Sequence, residues 1–363
     1  MIKTAVVGAG KMGLSHLAIA RAHPDVELAA VCDSSGYVLD ILGKYTGLKT
    51  FTDMNKMLNS VSIDALIVST PSHLHADMVE AAIERNVDIF CEKPFCVDVA
   101  TGRRLTEAAR TKGLVTQVGY HNRFVASFRE VKRLLESGAI GEVTHALAES
   151  YGPVVLKPSG GSWRTRRATA GGCLYDYAAH AVDLLTWYLG NPVAARGSVV
   201  NSIFSKETDD EVYSTLHFPG GKTAQVSVNW SDESERKMTT KVTFWGTKGR
   251  ICADRQEIRV YLRERDLLPE GYRSGWNVRY TTELTEPPWF YVRGEEYSAQ
   301  IDTFMTRIRN RDIDGLNTFE TAAITDAALD MILADSMQDE SSSVDQPGPN
   351  AGPRFKWRRR KAG

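Results

Sequence analysis

MIKTAVVGAGKMG (residues 1–13) runs a short apolar, β-branched segment, Ile2–Val7, straight into three glycines, Gly8, Gly10 and Gly13. A strand, a GxGxxG turn and a helix over Leu14–Ala22 are the order that a dinucleotide fingerprint requires. Gly8 permits the tight turn, Gly10 lets the backbone approach a pyrophosphate, and Gly13 lets helix and strand pack closely. Lys11 and Met12 lie within this turn as expected cofactor contacts, and the free N–H groups and positive dipole end of the helix that follows suit a phosphate. A second strand, Val26–Cys32, ends at Asp33, 20 residues after Gly13. That is where an acidic residue binds the adenosine ribose hydroxyls. Ser34, Ser35 and Gly36 follow, with no arginine for a 2′-phosphate, so NAD is expected over NADP.

Strand and helix patterns then alternate to Leu114–Val118. This alternation predicts an α/β domain with a doubly wound parallel sheet, and ligands beyond the carboxyl ends of its strands. Two strand ends carry chemistry. In Thr70-Pro71-Ser72-His73-Leu74-His75, Thr70, Pro71 and His75 are expected beside the cofactor. In Cys91-Glu92-Lys93-Pro94-Phe95, the Glu92-Lys93 pair reads either as a surface ion pair before a turn or as a lysine aimed over the nicotinamide. Further on, Gly171–Gly190 (GGCLYDYAAHAVDLLTWYLG) has helical apolar spacing, with Asp176, His180 and Asp183 at i, i+4 and i+7. That face is either a solvated stripe or a site. Asp183 reads as structural or as a supporting partner. Gly171 and Gly172 read as room for close approach to cofactor or substrate.

GAGKMG with Asp33, TPSHLH (70–75), CEKP (91–94), VGYHNRF (118–124), SWR (162–164) and GGCLYDYAAHAVDLL (171–185) together resemble the Gfo/Idh/MocA oxidoreductases, over roughly residues 1–337. That family includes inositol dehydrogenases, glucose–fructose oxidoreductase and nucleotide-sugar dehydrogenases. The resemblance implies an N-terminal Rossmann domain (1–122). It also implies a C-terminal α+β domain (123–337) on a large open, mainly antiparallel sheet, which commonly forms the subunit interface of a dimer or tetramer. It implies a catalytic group of Lys93, Asp176 and His180, with His180 as acid/base and Lys93 on the reacting hydroxyl. Arg123 joins these three as an expected substrate contact. Glu92, Trp163 and Arg164 join the expected cofactor contacts. Two departures from the family pattern are Tyr177-Ala178-Ala179 before the histidine and Ser72 in place of a frequent asparagine.

The remaining chain fits this outline. Phe124–Glu136 is amphipathic, and segments from Glu142 to Leu262 alternate apolar and polar residues with Gly-rich turns. Residues 264–296 read as irregular, Tyr297–Arg309 and Thr318–Met337 as helices, and 338–363 as a disordered polar tail. Across 363 residues the net charge is −1, so no field favours nucleic acid or a membrane surface. No apolar run suits a membrane span, no signal peptide is visible, and the five cysteines lack CxxC pairing. These features suit a cytoplasmic protein with free thiols and no metal site. The expected function is NAD-dependent dehydrogenation of a secondary hydroxyl on a sugar, nucleotide sugar or cyclitol. The alternatives are an NAD-dependent glycosidase or a non-catalytic NAD-binding regulator.

Overall fold

In the computed structural model, which describes residues 1–156, 166, 169–264 and 268–342, the first third of the chain winds a parallel sheet. Its elements are β1 (Ile2–Val7), α1 (Lys11–Ala22), β2 (Val26–Cys32), α2 (Gly36–Thr46), β3 (Lys49–Phe51), α3 (Met54–Ser60), β4 (Ala65–Val68), α4 (His75–Glu84), β5 (Asp88–Cys91), α5 (Val99–Thr111) and β6 (Thr116–Val118). The strand order is β3-β2-β1-β4-β5-β6, with every pairing parallel. Every residue of β4 and β5 is buried, as expected when helices cover both faces. The order reverses between β1 and β4, which puts the ligand crevice at their carboxyl ends. Side chains cap α2 (Ser35), α3 (Asp53) and α5 (Asp98), whereas α1 begins at Gly10 with no side-chain cap. The first amides of α1, at this crevice, thus have no side-chain acceptor.

The second region starts with α6 (Ala126–Glu136) and β7 (Val143–Tyr151). A π-turn (Leu174–Ala178) then runs into α7 (Ala179–Leu189). There follow β8 (Ala194–Asn201), β9 (Glu211–His217), β10 (Thr223–Asn229), β11 (Lys241–Gly246), β12 (Gly249–Asp254), β13 (Glu257–Leu262) and β14 (Gly275–Tyr280). Three helices end the described chain: α8 (Thr281–Leu284), α9 (Glu295–Asn310) and α10 (Phe319–Ser342). The eight strands order as β14-β13-β12-β11-β7-β10-β9-β8, antiparallel except for the parallel pair β7–β10. One face alternates inward, so that Val212, Val226, Val242 and Phe244 share a core with Phe128 of α6 and Leu184 and Leu185 of α7. On the other face Tyr261, Trp276, Val278 and Tyr280 are exposed.

The last helices return to the first region. Ile301, Phe304 and Met305 of α9 pack with Ile19 and Phe90. Phe319 of α10 stacks on Phe95 at 4.1 Å. Three features depart from the sequence reading. The span 264–296 contains β14, whose alternation of exposed Trp276, Val278 and Tyr280 is short and Arg-interrupted. The last helix continues past 338 to Ser342. The helix expected over 171–190 begins as a π-turn.

Candidate active site

The glycine turn is set by steric necessity. Gly8 has φ +90°, and a Cβ there would lie 2.6 Å from the Ser69 carbonyl oxygen. A Cβ on Gly13 would lie 1.7 Å from the Gly8 carbonyl oxygen, so no other residue lets α1 approach the turn this closely. Gly10 is different: a Cβ there would meet no protein atom within 4 Å. It faces a cavity of about 760 Å³ that runs along the strand ends. Gly8, Lys11, Met12, Asp33, Thr70, Pro71, Glu92, Lys93 and Asp176 line the same cavity. Uncapped helix amides, an unobstructed Gly10 and the Asp33 carboxylate on the same wall fit a dinucleotide. Asp33 also has an internal task. Its carboxylate accepts from the Ala9 amide at 2.6 Å and the Ser35 amide at 2.8 Å, tying the turn to β2. Asp53 and Asp77, which the sequence reading did not single out, line this cavity too.

At the opposite end, Glu92 and Lys93 point to different partners. Glu92 Oε1 lies 2.6 Å from Nε2 of buried His16 on α1. Burial raises the Glu92 carboxyl, but the His16 hydrogen bond and the charges of His16 and Lys93 outweigh it and hold it below the usual range. The Lys93 ammonium donates to the Asp176 carboxylate at 2.7 Å and to the Asp176 carbonyl at 2.8 Å. Wide π geometry at Leu174–Ala178 presents both acceptors of one residue to one cation.

None of the expected polar stripe is solvated: Asp176 is 8%, His180 4% and Asp183 0% exposed. Burial drives the His180 imidazole well below its ordinary range, and Lys93, His121 and Arg255 push it the same way. At pH 7 the neutral form of His180 is favoured. Asp209 holds the start of this segment, its carboxylate accepting from the Leu174 amide at 2.6 Å and its carbonyl from the Cys173 amide at 2.9 Å. A Cβ on Gly172 would lie 2.2 Å from that carboxylate, so Gly172 makes room for Asp209, not for cofactor or substrate.

Several expected contacts fall elsewhere. Arg123 is no substrate contact here. It makes a two-pronged ion pair with Asp183, at 3.0 and 2.6 Å, with both side chains sealed from solvent. Asp183 is thereby structural. His75 is not beside the cofactor: it is fully buried, with Nδ1 2.9 Å from the Pro94 carbonyl and Nε2 3.0 Å from the Thr70 carbonyl. It joins the two chemically loaded strand ends from behind. His180 and Gly13 lie outside the cavity wall. Trp163 and Arg164 lie outside the described residues. Residues missed at sequence level include Asp209, His121 and Arg255. His121 lay within the quoted VGYHNRF segment, whereas an arginine in the turn Asp254-Arg255-Gln256 carries no local signal. Among the described residues, no group of three or more His, Cys, Asp or Glu is placed to hold a metal, and no helix is long and apolar enough to cross a membrane.

Residues 2–120 match the family model described as "Oxidoreductase family, NAD-binding Rossmann fold", and residues 128–252 match the GFO/IDH/MocA C-terminal domain. The chain belongs to the Gfo/Idh/MocA oxidoreductase family. It is 28% identical to the uncharacterized oxidoreductase YrbE of Bacillus subtilis over 259 residues, 70% of this chain and 74% of that one. It is 25% identical to myo-inositol 2-dehydrogenase of Thermotoga maritima over 329 residues, 88% of this chain and 87% of that one. Its fold is also that of a levoglucosan dehydrogenase solved with NADH and levoglucosan, at TM-score 0.80 and 20% identity, covering 93% of this chain and 98% of that one.

Proposed function

We propose that this chain is an NAD-linked dehydrogenase acting on a secondary hydroxyl of a cyclitol, sugar or nucleotide sugar. The observation that carries this reading is the Lys93 ammonium, held 2.7 Å from Asp176 on the wall of the large cavity, with neutral His180 one turn further on. The amides of α1, the backbone at Gly8 and Gly10, and Asp33 would hold the cofactor, with Thr70 and Pro71 along its other side. NAD, when bound, supplies the hydride acceptor. Lys93 hydrogen-bonds the reacting oxygen, and its charge favours the developing alkoxide or, in reverse, polarises a ketone. Asp176 keeps the ammonium in place and accepts from a neighbouring hydroxyl of a polyol. His180, one turn behind Asp176 and just outside the cavity wall, is assigned the hydroxyl proton by its place in the family pattern. Asp33 and Asp53 both line the cavity, and their charges disfavour a 2′-phosphate, which supports NAD over NADP. The exposed apolar sheet face around Trp276, Val278 and Tyr280 supports a homo-oligomer formed through it.

The purified protein is screened with NAD and with NADP against inositols, free hexoses and nucleotide sugars, following reduced cofactor. NADH formation with at least one polyol, lost in His180→Ala, is expected. Full turnover by His180→Ala removes the assigned base. Release of free sugar with NAD unchanged at the end points instead to the glycosidase chemistry of the family.

A further inference from the structure

Four side chains from distant parts of the chain meet beside His180. His121, in the turn after β6, sets its ring edge-on to His180 with centroids 5.0 Å apart. On its other side His121 stacks on Tyr297 of α9 at 4.8 Å. Arg255, in the turn between β12 and β13, lies 3.1 Å from His121 Nε2 and also donates to Glu296 of α9. A guanidinium has only donors. Nε2 of His121 must therefore offer its lone pair, which puts the His121 proton on Nδ1 and leaves that ring neutral. Glu296 in turn fixes the guanidinium by charge and hydrogen bond.

We propose that Arg255 is a positioning residue for catalysis, holding His121 in one neutral tautomer against His180 and so keeping His180 available as a proton acceptor. The proposal rests on the assignment of His180 as the base. The groups facing His180 are Lys93 from the loop after β5, Tyr120 and His121 from the turn after β6, and Arg255 from the β12–β13 turn. On its own helical segment, Asp176 is paired with Lys93 and Asp183 with Arg123. From α9, Glu296 and Tyr297 act through Arg255 and His121. His16, paired with Glu92, adds to the positive side of His121. Arg255, matched by Glu296 from outside the helical segment, is the cation within hydrogen-bond reach of His121 Nε2. It repels a proton on either imidazole.

The test follows the ring nitrogens and carbons of His121 and His180 by NMR across a pH titration of the full chain, in wild type, Arg255→Gln and Arg255→Lys. In wild type, His121 is expected as the Nδ1–H tautomer at neutral pH. Arg255→Gln, which removes the charge and keeps a donor, is expected to raise both ring midpoints by ~0.5–1 pH unit. The acid limb of kcat/KM follows, giving about a three- to ten-fold loss below it that narrows as pH rises. Arg255→Lys restores most of the wild-type profile. An Nε2–H tautomer or an imidazolium at His121 in wild type overturns the proposal without any variant. So do unchanged ring midpoints in Arg255→Gln, or equal shifts in Gln and Lys, which would make Arg255 a packing residue. Full activity in His180→Ala would remove the base assignment alone, because the ring titrations report on Arg255, His121 and His180 whether or not His180 is the base.

Discussion

Two ion pairs reach from the first region to one helical segment, and they differ in geometry and in their access to solvent. Arg123–Asp183 is sealed, with 3% and 1% of its side chains exposed. Lys93–Asp176 is almost as short but keeps 12% and 11% exposed, on the wall of the large cavity. Both cations sit just beyond the carboxyl ends of adjacent strands, β5 and β6. The sealed pair holds the segment to the sheet, and the open pair leaves a cation where a hydroxyl can reach it. Charge type and position in the fold are shared, so access to the cavity separates scaffold from chemistry. Desolvation makes the sealed pair costly to disturb. Burial raises the Asp183 carboxyl, Arg123 opposes this, and Thr325 adds a hydrogen bond.

The comparison breaks most sharply at Arg123. Arg123→Met leaves Asp183 buried without its partner, and breaking such a pair costs about 3–5 kcal/mol. Denaturant unfolding is expected to show that loss, with kcat of the folded fraction changed far less. A large fall in kcat at unchanged stability would return Arg123 to the site. Lys93→Met is the mirror image. Its partner still reaches solvent, so stability is expected to change less than in Arg123→Met. Loss of the cation on the reacting oxygen is expected to lower kcat by about 10²–10³-fold. Turnover within a factor of two of wild type would contradict the proposed role of Lys93.

How much of this was legible in the sequence depended on how far apart the partners lie. Gly8, Gly10, Gly13 and Asp33 act within one strand–turn–helix–strand unit, and their spacing alone is diagnostic. Even there, the bonds from Asp33 to Ala9 and Ser35 add a structural duty that spacing does not reveal. Lys93 and Asp176 are 83 residues apart, and only the family resemblance joined them before their contact was seen. The same resemblance put Arg123 in the substrate site, because a motif carries residue type and position but not burial. His75 failed for the same reason: its segment lies at the site while its ring turns into the interior. His121 and Arg255, 134 residues apart, had no pattern to link them.

The finest division between scaffold and chemistry lies at the start of the π-turn. Asp209 caps the amide of Leu174, two residues before Asp176, and loss of a capping carboxylate costs about 1 kcal/mol. Because the Asp176 carbonyl and carboxylate both hold Lys93, a shift of this turn misplaces the ammonium as well as the carboxylate. Asp209→Ala is therefore expected to lower kcat by about five- to ten-fold, as ~1 kcal/mol of positioning is lost, with a small loss of stability. Gly172→Ala should reproduce much of this without touching Asp209 chemically. Its Cβ would displace the carboxylate from 2.2 Å, and its φ of +126° disfavours any side chain. The two substitutions break one interaction, so the double variant should be little worse than the poorer single variant. Additive losses would mean that Gly172 and Asp209 serve separate ends, and that the π-turn does not depend on this cap for its hold on Lys93.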